Sequence, residues 1–173
     1  MAVIEAPDRL QPLIPELAEV YREAFSTLPF PVTDATIRQF RNEILPRHAA
    51  RADFKLLVAR EDDRIIGFIY GYAGASGQYW EDWLAARIPH EVYEEWFGGH
   101  FAVTEFCVLP AHHGRGIGSA LHDHLLDGLP HERAVLTAHR IDSPARRLYA
   151  HKGWQVLCDP VDERHALLGQ RLR

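Results

Sequence analysis

Apolar and polar positions change their rhythm several times along the chain, and each change marks an element. Residues 2–5 form a short apolar run that reads as a first strand. Leu13, Leu17, Val20, Tyr21, Ala24 and Phe25 then recur three and four residues apart, the spacing of one helix face. Ser26–Val32 reads as a loop, because Pro29 and Pro31 lack backbone donors. Thr33 is a suitable N-cap for a second helix carrying Ile37, Phe40 and Ile44, with Pro46 near its end. Phe54–Arg60 and Arg64–Tyr72 read as a hairpin joined by the polar turn Glu61-Asp-Asp-Arg64.

Gly74, Gly77, Gly98 and Gly99 punctuate a segment with two short helices, near 79–87 and 90–97. Phe101–Leu109 is the next strand, stopped by Pro110. A helix opened by Gly114–Gly118 follows, with Leu121, Leu125 and Leu126 on one face, and Gly128-Leu-Pro130 ends it. Arg133–His139 is a strand. Asp142 or Ser143 caps a helix with Pro144 in its first turn and Gly153 at its end. Trp154–Cys158 and His165–Leu172 read as closing strands. This order predicts an α/β fold with a mixed sheet and helices on its faces. At 173 residues the chain fits one domain, 1–173, with residues 74–99 as an inserted helical element.

The chemistry concentrates in Phe106-Cys-Val-Leu-Pro-Ala-His-His-Gly-Arg-Gly-Ile-Gly-Ser-Ala-Leu121, where a strand runs into alternating glycines and these run into a helix. Glycine lets a backbone approach a ligand closely. The unpaired N–H groups of a first helical turn, at the positive end of the helix dipole, suit an anion such as a diphosphate. Arg115 adds a positive charge to the stretch. The spacing fails both GxxxxGK[ST] and GxGxxG, which leaves GxGxG followed by a small residue. A glycine-rich turn without a ligand is the other reading of this stretch alone.

Val108-Leu-Pro110 followed by His113-Gly-Arg-Gly-Ile-Gly118 resembles motif A of the GNAT superfamily of N-acetyltransferases, with His113 where Gln or Arg is usual. Asp142-Ser-Pro-Ala-Arg-Arg-Leu-Tyr-Ala-His-Lys-Gly-Trp154 resembles a second GNAT block, matching at Ala145, Leu148, Tyr149 and Gly153, with Asp142 in place of the usual Asn. The resemblance spans about residues 101–154. It implies a mostly antiparallel central sheet flanked by helices on both faces, and acetyl-CoA as co-substrate. It also implies that the backbone of Phe106, Cys107 and Val108 pairs with the pantetheine arm, in the split between two neighbouring strands. The amides of His113, Gly114, Arg115, Gly116, Ile117, Gly118 and Ser119 would hold the diphosphate, and Asp142 would stand at a cofactor contact. Tyr149 falls on the tyrosine that the family often uses as general acid. A phenol can protonate a departing thiolate. The plain alternative for Tyr149 is an aromatic packed on the sheet.

An ammonium must lose a proton before it can attack. Some family members carry a Glu on the strand before the second block, but Thr137 stands there. Glu105 is the first substitute and His139 the second, each with a structural reading beside it. Residues 74–99 hold Tyr79, Trp80, Trp83, Tyr93, Trp96 and Phe97, with five acids against Arg87. Such a segment could receive a cationic amine, but two amphipathic helices with their aromatics in the core is the favoured reading.

Net charge is −5, which argues against a nucleic-acid-coating protein. No apolar run approaches the roughly 18 residues of a membrane span. The N-terminus has no signal-peptide pattern. Cys107 and Cys158 form no CxxC pair, so a reducing cytoplasm is expected. Neither His112/His113 nor His122/His124 has metal-ligand spacing, so no metal is expected. The expected activity is acetyl transfer from acetyl-CoA to a primary amine, on a small molecule or a peptide, by direct attack. An acyl-CoA-binding sensor without turnover is the alternative, and a longer acyl donor is a third reading. A homodimer would be unsurprising for the family.

Overall fold

The computed structural model describes residues 1–27 and 31–172, so part of the expected Ser26–Val32 loop lies outside the described residues. In chain order the elements are β1 (Val3–Glu5), α1 (Ile14–Ala24), α2 (Asp34–Gln39), α3 (Leu45–Ala49), β2 (Lys55–Glu61), β3 (Arg64–Ala73), α4 (Tyr79–Ala85), α5 (His90–Trp96), β4 (Phe101–Val108), α6 (Ile117–Leu126), β5 (Arg133–His139), α7 (Pro144–His151), β6 (Gln155–Cys158) and β7 (His165–Arg171). The strands follow the sheet order β1-β2-β3-β4-β5-β7-β6. The β1/β2, β2/β3, β5/β7 and β6/β7 pairs are antiparallel and β4/β5 is parallel, so the sheet is mixed and mostly antiparallel. The chain groups into two compact units. One joins Met1–Tyr72 with Glu105–Asp127, and the other joins Ala73–Thr104 with the chain from Gly128 onward.

In the first unit the local signals act as the sequence suggests. Thr33 caps α2, its hydroxyl accepting the Thr36 N–H at 3.1 Å. Asp62 and Asp63 both adopt positive φ (49° and 60°), as a two-residue turn that follows the strand twist requires. Pro46 lies near the end of the helical stretch, as expected, and the stretch closes at Ala49. A π-type turn over Phe40–Ile44 precedes α3, in which Leu45 N–H bonds to Phe40 O, and Pro46 falls in the first turn of α3. The wider turn restarts the hydrogen-bond ladder, so the missing proline donor lands where no donor is needed. Lys55 Nζ donates to the carbonyls of His124, Leu125 and Asp127, each at 2.8 Å, placing a cation at the negative end of α6.

β3 divides its side chains between two surroundings. A Cβ on Gly67 would meet Cys107 O at 2.8 Å and the side chains of Val108 and Leu121, so α6 and β4 press on that face. Phe68 lies on the other face, where its ring is 6.3 Å from that of Phe40, and Phe40 stacks on Tyr21 of α1 at 4.4 Å. The alternation of a strand then puts Tyr70 and Tyr72 on the face of α1 and of the helical stretch 34–49.

In the second unit α4 and α5 bury Leu84, Ile88, Trp96 and Phe97 against Val135, Val161 and Leu167, with Trp80, Trp83 and Tyr93 packed alongside. Arg133 holds the end of α5 by donating to the carbonyls of Glu95 (2.5 Å) and Gly98 (2.7 Å). Ser143, of the two residues that could cap α7, does so by accepting the Arg146 N–H at 3.1 Å.

Candidate active site

β4 leads into the glycine turn and then into α6, and the turn is built to leave donors unpaired. Gly114 and Gly116 have φ of 74° and 78°, a region costly for other residues. Gly116 is the N-cap of α6 and no side chain caps the helix. The first-turn amides of α6 therefore lack the usual side-chain acceptor. A Cβ built on either glycine meets nothing within 4 Å, so the space in front of the turn is open. Unpaired amides, the positive end of a ten-residue helix and open space fit a diphosphate.

The side chains of the turn face other duties. His113 Nε2 bonds Val108 O at 2.8 Å, tying the turn back to the strand. The Arg115 guanidinium is held in a fork by the Glu61 carboxylate, at 2.6 and 3.0 Å, and lies 2.7 Å from His112 Nδ1. Arg115 holds the Glu61 carboxyl below its usual range. The charge that Arg115 was expected to lend the turn is thus largely neutralised by its own partner.

Glu105 sits two residues before Cys107 on the same strand. β3 and β4 run in opposite directions, with Leu109 N–H bonded to Ile66 O at 2.8 Å. Counting from that bond sets Gly67 beside Val108, and the charge of Glu105 reaches the Tyr70 phenol. Tyr70 is fully buried, and its hydroxyl pairs with His48 Nδ1 at 3.0 Å. His48 packs on Tyr72 at 4.9 Å, and the Arg51 guanidinium lies over the Tyr72 ring at 4.6 Å. Glu105 itself is half-buried. Burial pushes its carboxyl up to about 8, with no hydrogen bond to offset the loss of water. Burial also raises the Tyr21 and Tyr70 phenols, and the charge of Glu105 is the next cause at both. A carboxylate that changes state near neutral pH among neutral phenols can take a proton from an amine.

The model of the Acetyltransferase (GNAT) family matches residues 14–154, most of the chain. The chain belongs to the GNAT acetyltransferase family. A GCN5-like protein acetyltransferase of Mycobacterium tuberculosis is 32% identical to it over 98 residues, 52% of this chain and 48% of that protein, so the chain spans about half the length of this curated relative. The fold is shared with the PaiA N-acetyltransferase of Thermoplasma acidophilum, solved in complex with coenzyme A (TM-score 0.70, 18% identity, 98% of this chain and 99% of that one). It is shared too with the Salmonella typhimurium acetyltransferase yncA, solved with its cofactor acetyl-CoA (TM-score 0.65, 16% identity, 100% of this chain and 95% of that one).

The second GNAT block lies in the other unit. Tyr149 is buried on α7, its ring 5.7 Å from Trp154. Asp142 is exposed and paired with Arg147 at 2.6 Å. Thr137, at the position of the GNAT glutamate on β5, accepts a hydrogen bond from the Trp80 indole at 3.3 Å. His139 lies 5.3 Å from His165, ring to ring, and burial lowers its pKa, with His165 the next cause. Among the described residues no group of three or more His, Cys, Asp or Glu could hold a metal ion, and no helix is long and apolar enough to cross a membrane.

Sequence reasoning did not find Tyr21, His48, Tyr70 or Glu61. A signal was present for Tyr70. Phe68, Tyr70 and Tyr72 alternate on one strand, and Glu105 is the one carboxylate in the apolar run 101–109.

Proposed function

We propose that this chain transfers an acetyl group from acetyl-CoA to a primary amine by direct attack, on a small molecule or a peptide. The observation that carries the reading is the turn Gly114–Gly116, which leaves the start of α6 uncapped at the end of the strand that bears Glu105. The amides of 113–119 would hold the diphosphate, and the backbone of Phe106, Cys107 and Val108 the pantetheine arm. Val108 O already receives His113, so Phe106 and Cys107 carry more of that pairing. When bound, acetyl-CoA supplies an activated acyl carbon on a thioester.

Glu105 removes the proton from the acceptor ammonium. Its raised pKa makes it a stronger base than an ordinary carboxylate, though ionised only in part at neutral pH. Tyr149 is assigned the general-acid role on the strength of the second block alone. Asp142, tied to Arg147 and exposed, is given no part in holding the cofactor.

The test is release of coenzyme A thiol from acetyl-CoA across polyamines, aminoglycosides, amino acids and peptides. Release with at least one amine supports the reading. Tight binding of acetyl-CoA with no release from any amine would show a sensor instead.

A further inference from the structure

Coenzyme A, the product of transfer, carries the same diphosphate as acetyl-CoA. A grip on that group is felt alike by substrate and product, so tightening it slows product departure without lowering the barrier to transfer. The charge balance at the glycine turn therefore bears on exchange as well as affinity. The arginine of the turn, Arg115 between Gly114 and Gly116, is already engaged.

Glu61 ends β2, where the ladder pairs it with Arg64 of β3, so the sheet fixes its backbone. Its carboxylate accepts from Nη1 and Nη2 of Arg115 at 3.0 and 2.6 Å. Nη1 also lies 2.7 Å from His112 Nδ1. A guanidinium only donates, so Nδ1 accepts there and the His112 ring is neutral. The side chain of Glu61 is 19% exposed against 44% for Arg115, so the acid is the more enclosed of the pair. All of these groups lie in one unit of the fold.

We propose that Glu61 weakens the hold of the turn on the cofactor diphosphate by occupying Arg115, which keeps coenzyme A exchangeable. The inference rests on the diphosphate binding at this turn. A carboxylate and a phosphate compete for the same guanidinium donors. While Glu61 holds them the pair carries no net charge, and its carboxylate repels a second anion. Without Glu61 the guanidinium keeps its full charge beside the uncapped amides of α6. His112 is a neutral acceptor and cannot stand in for the carboxylate. Glu61 touches neither the acceptor nor the acyl group in this account. It acts through Arg115.

Isothermal titration of coenzyme A reads this without turnover, in the wild type, Glu61→Gln, Glu61→Ala, Arg115→Ala and the double variant Glu61→Gln/Arg115→Ala. Both Glu61 variants should bind about 5- to 10-fold more tightly than the wild type at low salt. Salt at about 1 M should remove most of that gain. Dissociation of coenzyme A from Glu61→Gln, followed by stopped flow, should slow by a similar factor. 3′-Dephospho-coenzyme A keeps the diphosphate and should show the same gain. In the Arg115→Ala background, Glu61→Gln should move Kd by less than about 2-fold. An ion pair that only braced the turn would lose affinity when broken. Equal or weaker binding by both Glu61 variants, an undiminished gain without Arg115, or a gain absent from the dephospho form would overturn the proposal and leave the turn as the diphosphate site. No binding of coenzyme A by the wild type would overturn that site itself.

Discussion

Two regions of this molecule place a carboxylate among aromatic rings, and they differ in burial and in hydrogen bonding. In the unit holding α4 and α5, Glu81 is 2% exposed, accepts the Tyr93 hydroxyl at 2.9 Å and faces the fully buried His100 at 3.4 Å. The Gly98 N–H donates to His100 Nδ1 at 3.2 Å, which leaves the proton of the neutral ring on Nε2, toward Glu81. Trp80, Trp83 and Tyr93 around it pack into the core. In the other unit Glu105 is half-buried and takes no hydrogen bond that shifts its pKa. Composition made residues 74–99 a candidate acceptor segment, but hydrogen-bond accounting favours the half-buried Glu105. Burial raises both carboxyls, but Glu81 accepts a hydroxyl inside the core while Glu105 accepts no hydrogen bond, and that leaves Glu105 the freer for chemistry.

The sharpest way to break this contrast is to neutralise each carboxylate in turn. Glu105→Gln should lower kcat by about 10² to 10³ with little change in the KM for acetyl-CoA, by steady-state thiol release. In the wild type kcat/KM for the amine should rise with pH through about 8, as Glu105 ionises, and that component should vanish in the variant. Stability moves the other way. A carboxyl whose folded pKa lies above its unfolded value stabilises the fold fully below the unfolded pKa and loses this as pH rises through the folded one. Thermal unfolding above pH 8 should therefore show Glu105→Gln more stable than the wild type. Glu81→Ala should show the reverse pattern, with kcat preserved and about 2 kcal/mol of stability lost in urea unfolding, because the Tyr93 hydroxyl loses its acceptor. A catalytic loss at Glu81 comparable with that at Glu105 would erase the distinction.

Smaller effects sharpen it. Tyr149→Phe should reduce kcat by about 10²-fold and leave acetyl-CoA affinity nearly unchanged, and unaltered turnover would remove Tyr149 from the mechanism. Gly116→Ala should raise the KM for acetyl-CoA by about 10-fold, because a side chain at φ 78° costs about 1 kcal/mol or more and displaces the amides. Arg115→Ala should change that KM by no more than about 3-fold, since the guanidinium is already paired with Glu61 on the surface.

What the chain reveals in sequence follows the range of the forces involved. Thr33, Ser143 and the strand Arg133–His139 are legible because caps and alternation are written within a few residues. The strand–glycine–helix passage from Phe106 to Leu121 is legible for the same reason, and so is the resemblance it carries. Pro46 marks the approaching helix end, but the π-type turn just ahead of it is not written in the local pattern. His48 meets Tyr70 only through the packing of α3 on β3, across 22 positions, and the Glu105 charge reaches Tyr70 across 35. The Glu61–Arg115 pair closes over 54 positions, so the motif containing Arg115 could not disclose its partner.

The contrast between the two carboxylates is read most directly by carbon-13 NMR of the labelled glutamate side chains across pH 3 to 10. One resonance should titrate near pH 8 and be missing from Glu105→Gln while persisting in Glu81→Ala. If every resonance lost in Glu105→Gln titrates in the ordinary carboxylate range, Glu105 is a plain surface acid and the account of the site is wrong.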